Sequence, residues 1–80
     1  MAADIEGLVR YLVTSLVDDP DAVSIAVTES DESITFEITL DAADVGKVIG
    51  RQGRIIKAIR TLARAAGTIG DKQVEVEVVG

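Results

Sequence analysis

Two apolar helical repeats near the middle of the chain are separated by only four residues, Gly50-Arg51-Gln52-Gly53. Before these residues, Val45, Val48 and Ile49 form a short apolar stripe. After them, apolar residues recur at helical spacing until Gly67, at Ile55, Ile56, Ile59, Leu62, Ala63 and Ala66. A turn this tight favours positive φ angles, which glycine adopts at low cost. The stretch therefore predicts a helix of about two turns and a longer helix joined by a glycine-bounded turn.

The first part of the chain predicts another amphipathic helix. Its apolar residues follow the i, i+3, i+4 pattern: Ile5, Leu8, Val9, Leu12, Val13 and Leu16. Asp4 is predicted to cap the start of this helix. Asp18-Asp19-Pro20 is predicted to end it, because a proline disfavours the α conformation in the residue before it.

Alternation of apolar and polar residues predicts three strands. The apolar positions are Val23, Ile25 and Val27 in the first strand, Ile34, Phe36, Ile38 and Leu40 in the second, and Val74, Val76 and Val78 in the third. The polar run Glu29-Ser30-Asp31-Glu32-Ser33 predicts a hairpin loop of about five residues between the first two strands. The two aromatic residues, Tyr11 and Phe36, are both predicted to pack in the core.

The elements follow the order αββααβ, which predicts an α+β fold in one domain over residues 1–80. Each helix and each strand has one apolar side, and all of these sides can be buried in a structure of two layers. The prediction is a three-stranded sheet with helices on one face and solvent on the other. Asp41 is predicted to cap the short second helix, and Asp44 is predicted to favour its dipole from the first turn.

Charge is unevenly distributed along this acidic chain, whose net charge is −6. Residues 45–70 contain no Asp or Glu and carry a charge of +6, so the remainder of the chain carries −12. The basic residues of the stretch are Lys47, Arg51, Arg54, Lys57, Arg60 and Arg64. An ordinary solvated helix face explains such a run equally simply. Its position around the glycine loop favours a binding role for a polyanion.

Several functional classes fit the composition poorly. The chain has no cysteine and no histidine, and its carboxylates fall in caps, turns and strand faces, so we predict neither an enzyme nor a cofactor. Asp18, Asp19 and Asp21 are interpreted as loop solvation rather than a metal site. The start lacks a signal peptide and no run is long enough to span a membrane, so a cytoplasmic protein is expected.

The glycine loop has a structural and a functional interpretation. As a structural feature it is the tight turn that ends one helix and begins the next. As a functional feature it lets the backbone of a ligand approach closely, while the N-terminus of the following helix offers free N–H groups to a phosphate. Its spacing matches neither G-x-x-x-x-G-K-[ST] nor G-x-G-x-x-G, and it lies between two helices, so a nucleotide P-loop or Rossmann turn is not expected.

The run Val48-Ile49-Gly50-Arg51-Gln52-Gly53, followed by Ile56 and Ile59, resembles the KH signature V-I-G-x-x-G-x-x-I-x-x-I. The element order resembles the type II KH arrangement with its mixed sheet. Over nearly the whole chain the sequence resembles the small bacterial single-domain KH proteins of the KhpA type. That resemblance implies single-stranded RNA binding in a groove for about four nucleotides, as an RNA chaperone or post-transcriptional regulator.

On this sequence the resemblance implies a clamp of Gly50, Arg51, Gln52 and Gly53, a groove lined by Ile49 and Ile56, and phosphate contacts from Lys47, Arg54, Lys57 and Arg60. Only one of the two variable loop residues is basic, which predicts modest affinity. The resemblance also implies homodimers and pairing with a larger KH-containing protein. The alternative is a protein interaction or dimerisation module whose RNA groove is vestigial.

Overall fold

The computed structural model describes residues 2–66 and 72–79. Six regular elements follow the predicted αββααβ order: α1 (Ala2–Leu16), β1 (Ser24–Glu29), β2 (Ser33–Thr39), α2 (Val45–Ile49), α3 (Arg54–Ala66) and β3 (Gln73–Val79). Three short 3-10 turns, Pro20–Ala22, Ala42–Asp44 and Arg51–Gly53, join some of them. The end of the third helix predicted at Gly67 lies outside the described residues.

The sheet is mixed, with β2 in the centre. β1 pairs with β2 in the antiparallel sense, and β2 pairs with β3 in the parallel sense. A parallel pair requires a crossover, and α2, the glycine loop and α3 supply it. β3 is therefore an edge strand, and α3 lies against it. This arrangement confirms the predicted α+β fold with its mixed sheet.

The core lies between the helices and one face of the sheet. β2 contributes three buried residues, Ile34, Phe36 and Ile38, which alternate with more exposed neighbours as a strand with one covered face requires. Glu37 and Glu77 lie side by side on the opposite face and are exposed. The remaining buried apolar residues are Ile5, Val9, Val13, Val23, Leu40, Val48, Ile56, Ile59, Ala63, Val74 and Val76.

Tyr11 does not pack in the core, contrary to prediction, since 69% of its surface is exposed. It lies two residues from both Val9 and Val13, which are fully buried. At about 100° per residue, two residues correspond to more than half a turn, so Tyr11 projects from the other side of α1. Phe36 is fully buried, as predicted.

Leu62 and Ala66 are also exposed, although helical spacing predicted them in the core. The buried residues of α3 are Ile56, Ile59 and Ala63, a narrower arc than the six residues predicted. Leu62 lies about 100° around the helix from Ala63 and faces α1 across an open cleft. The apolar spacing thus predicted α3 correctly but overestimated how many of its residues the rest of the fold buries.

Three local predictions need correction. α1 begins at Ala2, so Asp4 lies inside its first turn instead of capping it. The hairpin loop is three residues long, because the N–H of Ser30 donates to the carbonyl oxygen of Ser33 at 2.8 Å and closes it. In β1 only part of the apolar face is covered: Ile25 is half-buried, and Val27 is 37% exposed.

Candidate nucleic-acid interface

The glycine loop has three residues with positive φ. Gly50 has φ 77° and ψ 172°, Gln52 has φ 58° and Gly53 has φ 73°. The N–H of Gly50 donates to the carbonyl oxygen of Gly46 at 2.9 Å, and this bond ends α2. The N–H of Gly53 donates to the carbonyl oxygen of Gly50 at 3.1 Å. The loop is therefore a closed turn whose conformation depends on its glycines.

Gly50 is required for packing as well as for its backbone angles. A Cβ atom at this position would lie 2.5 Å from Cγ1 and 2.9 Å from Cβ of Ile55. At Gly53 the nearest atom to a Cβ would be Cγ2 of Ile56, at 3.9 Å, which is an ordinary contact. Ile55 and Ile56 thus support the two ends of the loop from below. Ile56 is buried and Ile49 is half-buried.

The two variable loop residues, Arg51 and Gln52, are exposed. Gln52 occupies the left-handed region at a cost of about 1–2 kcal/mol for a residue with a side chain. Its Oε1 atom accepts a hydrogen bond from Nη2 of Arg54 at 3.3 Å. α3 begins at Arg54, whose own N–H donates to the carbonyl oxygen of Arg51, so this end adds the positive end of the helix dipole to the charges of Arg51 and Arg54. This combination suits a phosphate.

Two basic residues of α3, Arg60 and Arg64, face the edge strand. Lys57 is exposed to solvent. Arg60 is half-buried, and its Nη2 atom donates to the carbonyl oxygen of Val76 at 3.2 Å. Arg64 donates from Nε to the carbonyl oxygen of Val74 at 3.2 Å. We use the name basic groove for the surface formed by the glycine loop, the side of α3 that carries Lys57, Arg60 and Arg64, and the adjoining edge of β3.

Arg64 was not among the predicted site residues, although it belongs to the same basic arc. Besides the bond to β3, its Nη2 atom lies 3.5 Å from Oε2 of Glu75. The signal in the sequence was its spacing of four residues from Arg60, which places both side chains on one side of the helix. What they meet there depends on where β3 lies, and the sequence does not show that.

Lys47 has two carboxylate partners. Its ammonium group contacts Asp18 and lies 3.2 Å from Oδ1 of Asp44. Asp44 is only 3% exposed, and its Oδ2 atom accepts from the N–H of Asp19 at 3.1 Å. Asp44 therefore ties the start of α2 to the segment after α1. It lies at the N-terminus of α2, where its charge was predicted to favour the helix dipole, and it makes this long-range bond in addition.

The ionisation of this cluster follows from its contacts. Burial by itself would raise the pKa of Asp44, but bonds from the N–H groups of Asp19 and Asp18 and from Lys47 lower that pKa below its usual value. The Asp18 and Asp44 carboxylates raise the pKa of Lys47. Asp41 was predicted to cap α2 and instead caps the 3-10 turn Ala42–Asp44 just before it, accepting from the N–H of Ala43 at 2.9 Å.

The opposite side of α3 borders an apolar cleft of about 380 Å³ against α1. Three of its lining residues are large and exposed: Tyr11 at 69%, Leu62 at 48% and Leu16 at 37%. Arg54 and Ile55 line its end near the glycine loop. We call this region the apolar cleft. It shares α3 with the basic groove but lies on the other side of that helix.

Two other expectations concern sites elsewhere. Within residues 2–66 and 72–79, no three His, Cys, Asp or Glu side chains are grouped so that they could hold a metal ion. None of the helices in that part of the chain has the length and apolar character needed to cross a membrane.

Solved structures share this fold. The fold superposes on a crystal structure of Aquifex aeolicus Era bound to GDP·AlF4− with a TM-score of 0.62, and on one of Era in complex with MgGDPNP and nucleotides 1506–1542 of 16S ribosomal RNA with 0.63. Each match has 22% identity and covers 90% of this chain but 29% of the Era chain. Together with the G-x-x-G loop between α2 and α3, the fold defines a type II KH domain.

The sequence comparison is more specific. Residues 6–78 match the family described as "KhpA/KhpB, KH domain", and the chain belongs to that family. Similar proteins include the RNA-binding protein KhpA of Listeria monocytogenes, 45% identical over 92% of this chain and 97% of that protein. The RNA-binding protein KhpA of Bacillus subtilis is 43% identical over 92% of this chain and 91% of its own length. That of Caldanaerobacter subterraneus is 46% identical over 90% and 96%.

Proposed function

We propose that this chain binds single-stranded RNA in the basic groove. The observation that carries the proposal is the closed glycine loop, with positive φ at Gly50, Gln52 and Gly53, placed at one end of the basic side of α3. Relatives at 43–46% identity are named RNA-binding proteins and not enzymes, which supports a binding function without catalysis or a cofactor.

The ten proposed site residues take different parts. Gly50, Arg51, Gln52 and Gly53 clamp the RNA backbone, and Arg54 and Lys57 hold phosphates beside them. Ile49 and Ile56 support the loop and line the groove from below. Arg60 acts from the β3 side of the groove. Lys47 contributes least, because two carboxylates already neutralise its charge.

The chemistry of the groove favours modest affinity. Two to four neutralised phosphates correspond to a slope of about −1.5 to −3 for the logarithm of the binding constant against the logarithm of salt concentration. The only two aromatic residues are Phe36, which is buried, and Tyr11, which lies in the apolar cleft, so no ring is available in the groove for stacking. We therefore propose a broad-specificity RNA chaperone or post-transcriptional regulator, formed by one domain over residues 1–80 and acting in the cytoplasm.

The test is to replace Arg51 and Gln52 together by Asp. Both side chains are exposed, so the fold should be retained while the loop becomes anionic. A matched control is Arg10→Asp with Thr28→Asp, which changes net charge equally at exposed positions on α1 and β1. RNA crosslinking in cells and binding of an unstructured oligonucleotide should be lost in the loop variant and kept in the control. Unchanged RNA binding in the loop variant contradicts the proposal.

A second function, self-association, is favoured by the apolar cleft. Tyr11, Leu16 and Leu62 expose apolar surface along one strip, and a small chain gains stability by covering such surface. We propose that a second copy of this chain covers it, and that a larger KH-containing protein can replace that copy. Leu62→Glu should convert a dimer to a monomer in analytical ultracentrifugation. A monomeric parent, or a dimer that survives the substitution, contradicts this assignment.

A further inference from the structure

Arg60 and Arg64 each bond a backbone carbonyl of the edge strand. The acceptors, Val76 and Val74, are two residues apart on β3, and the donors are four residues apart on α3. Both N···O distances are 3.2 Å. α3 and β3 thus run antiparallel along the basic groove, with two guanidinium groups between them.

These contacts change what the groove offers to a ligand. An edge strand ordinarily presents both free N–H donors and free carbonyl acceptors. Here two of the carbonyls already accept from arginine, and a guanidinium carries five N–H donors and no acceptor. Each carbonyl oxygen keeps a second lone pair, so it can still accept a hydrogen bond from a ligand. The Glu75 carboxylate, 3.5 Å from Nη2 of Arg64, remains an acceptor beside β3. The other N–H groups of the two guanidinium groups still shift the balance of this surface from acceptors toward donors.

The two guanidinium groups are within reach of bases beyond the clamp. At 1.5 Å per residue along α3, Arg60 lies about 10 Å and Arg64 about 16 Å from Gly53. If the glycine loop holds the RNA backbone, successive bases would lie along the edge of β3, next to Arg60 and Arg64. Proteins recognise single-stranded RNA through hydrogen bonds to such base edges.

We infer that Arg60 and Arg64 make the groove selective for bases that present acceptors, such as uracil O4 or guanine O6 and N7, over the amino groups of cytosine and adenine. This inference rests on the proposed RNA-binding function and adds a base preference to it. Uracil has an accepting oxygen at position 4, where cytosine has a donating amino group. Comparing these two bases therefore tests the preference most directly. Arg60 is half-buried and Arg64 is exposed, so replacing Arg64 is expected to leave the fold intact.

Two simpler roles for these arginines make different predictions. If they only protect the edge of β3 from pairing with another chain, replacing them changes stability and association. If they only supply positive charge, replacing them weakens binding of all oligonucleotides in the same proportion. Neither role changes the ratio of affinities for two RNAs of equal length and charge.

The experiment measures binding of eight-nucleotide oligo(U) and oligo(C) by fluorescence anisotropy. The parent should bind oligo(U) about fivefold more tightly, the lower end of the discrimination expected from arginine contacts to base edges. Arg64→Met should reduce that ratio, and Arg60→Met with Arg64→Met should bring it to about one or below, because the carbonyls of Val74 and Val76 become free acceptors. Arg10→Met removes one charge from α1 and should leave the ratio unchanged.

The outcomes separate this inference from the function on which it rests. Equal affinities in the parent, a preference for oligo(C), or a preference for oligo(U) that survives Arg64→Met unchanged overturns the inference while RNA binding stands. Failure of both oligonucleotides to bind the parent overturns the RNA-binding proposal together with it. Because Arg64 is exposed, the single variant decides the matter even if the double variant does not fold.

Discussion

The two sides of α3 differ in how many of their side chains find partners within the chain. On the side facing β3, Arg60 and Arg64 bond backbone carbonyls at 3.2 Å, so charged side chains have defined partners inside the chain. On the side facing α1, Leu62 and Tyr11 remain 48% and 69% exposed and border an open cleft. Between the two sides, Ile59 is buried in the core.

On the proposed functions, one short helix serves two kinds of partner. The chain itself arranges the polar side, for which we propose single-stranded RNA as the ligand. The apolar side is incomplete, and a surface of that kind is satisfied by a protein. Ile59 lies between the two sides, and both depend on it.

The largest effect is expected for Ile59→Ala. Ile59 is 3% exposed, and removing its side chain leaves a cavity beneath both sides of α3. We expect a loss of about 2–5 kcal/mol in the free energy of unfolding, measured by urea denaturation. Ile59→Val should cost only about 0.5–1.5 kcal/mol and provides a variant that folds. Near-neutral Ile59→Ala would show that the covered side of α3 is assigned incorrectly.

Gly50→Ala should have the next largest effect. Its φ of 77° and ψ of 172° are essentially restricted to glycine, and the added Cβ would collide with Ile55. We expect a loss of about 1–3 kcal/mol in the free energy of unfolding, with weaker RNA binding. Gly46→Ala, in a helix with no atom within 4 Å of its Cβ, is the matched control and should gain about 0.5–1 kcal/mol. Equal effects at the two positions would contradict the special role of Gly50.

A smaller effect, present at neutral pH and lost in acid, is expected at Asp44, which ties the start of α2 to Asp19 in the segment after α1. Because its pKa is lowered in the folded state, its contribution to stability is present above the unfolded pKa of about 4 and is lost as the pH falls through the folded value. The thermal midpoint of Asp44→Asn should therefore lie below that of the parent at pH 7 and approach it below about pH 4. A difference independent of pH would mean that the charge of Asp44 is not what stabilises α2.

The smallest effect on monomer stability is expected for Leu62→Gln. Leu62 is exposed in the isolated chain, so at a concentration below that of self-association the free energy of unfolding should change by no more than about 0.5 kcal/mol. Urea denaturation at low and high protein concentration separates folding from association. A loss as large as that of Ile59→Ala would place Leu62 in the core and remove the contrast between the two sides of α3.

The local patterns of the sequence predicted most of the fold. Periods of two and of about 3.6 identified all six elements and their order, since these periods reflect backbone geometry that each segment has by itself. They failed at Leu62 and Ala66, because periodicity tells which residues share a side of a helix but not how much of that side a neighbouring element covers. The buried role of Asp44 was missed for the same reason, since its partner Asp19 is 25 residues away. Tyr11 lies outside the apolar repeat of α1, and its predicted core position was wrong for that reason.

The sequence by itself determined the family, the glycine loop and the acid-free stretch around it. All three depend on residue types at fixed spacing, and Gly50 and Gly53 have the positive φ that the tight turn predicted. Only the tertiary structure decided what surrounds them. It placed β3 beside α3, so that Arg60 and Arg64 bond its carbonyls, and it left α1 too far from Leu62 to cover it. Such contacts depend on how whole elements pack, and no local pattern records that.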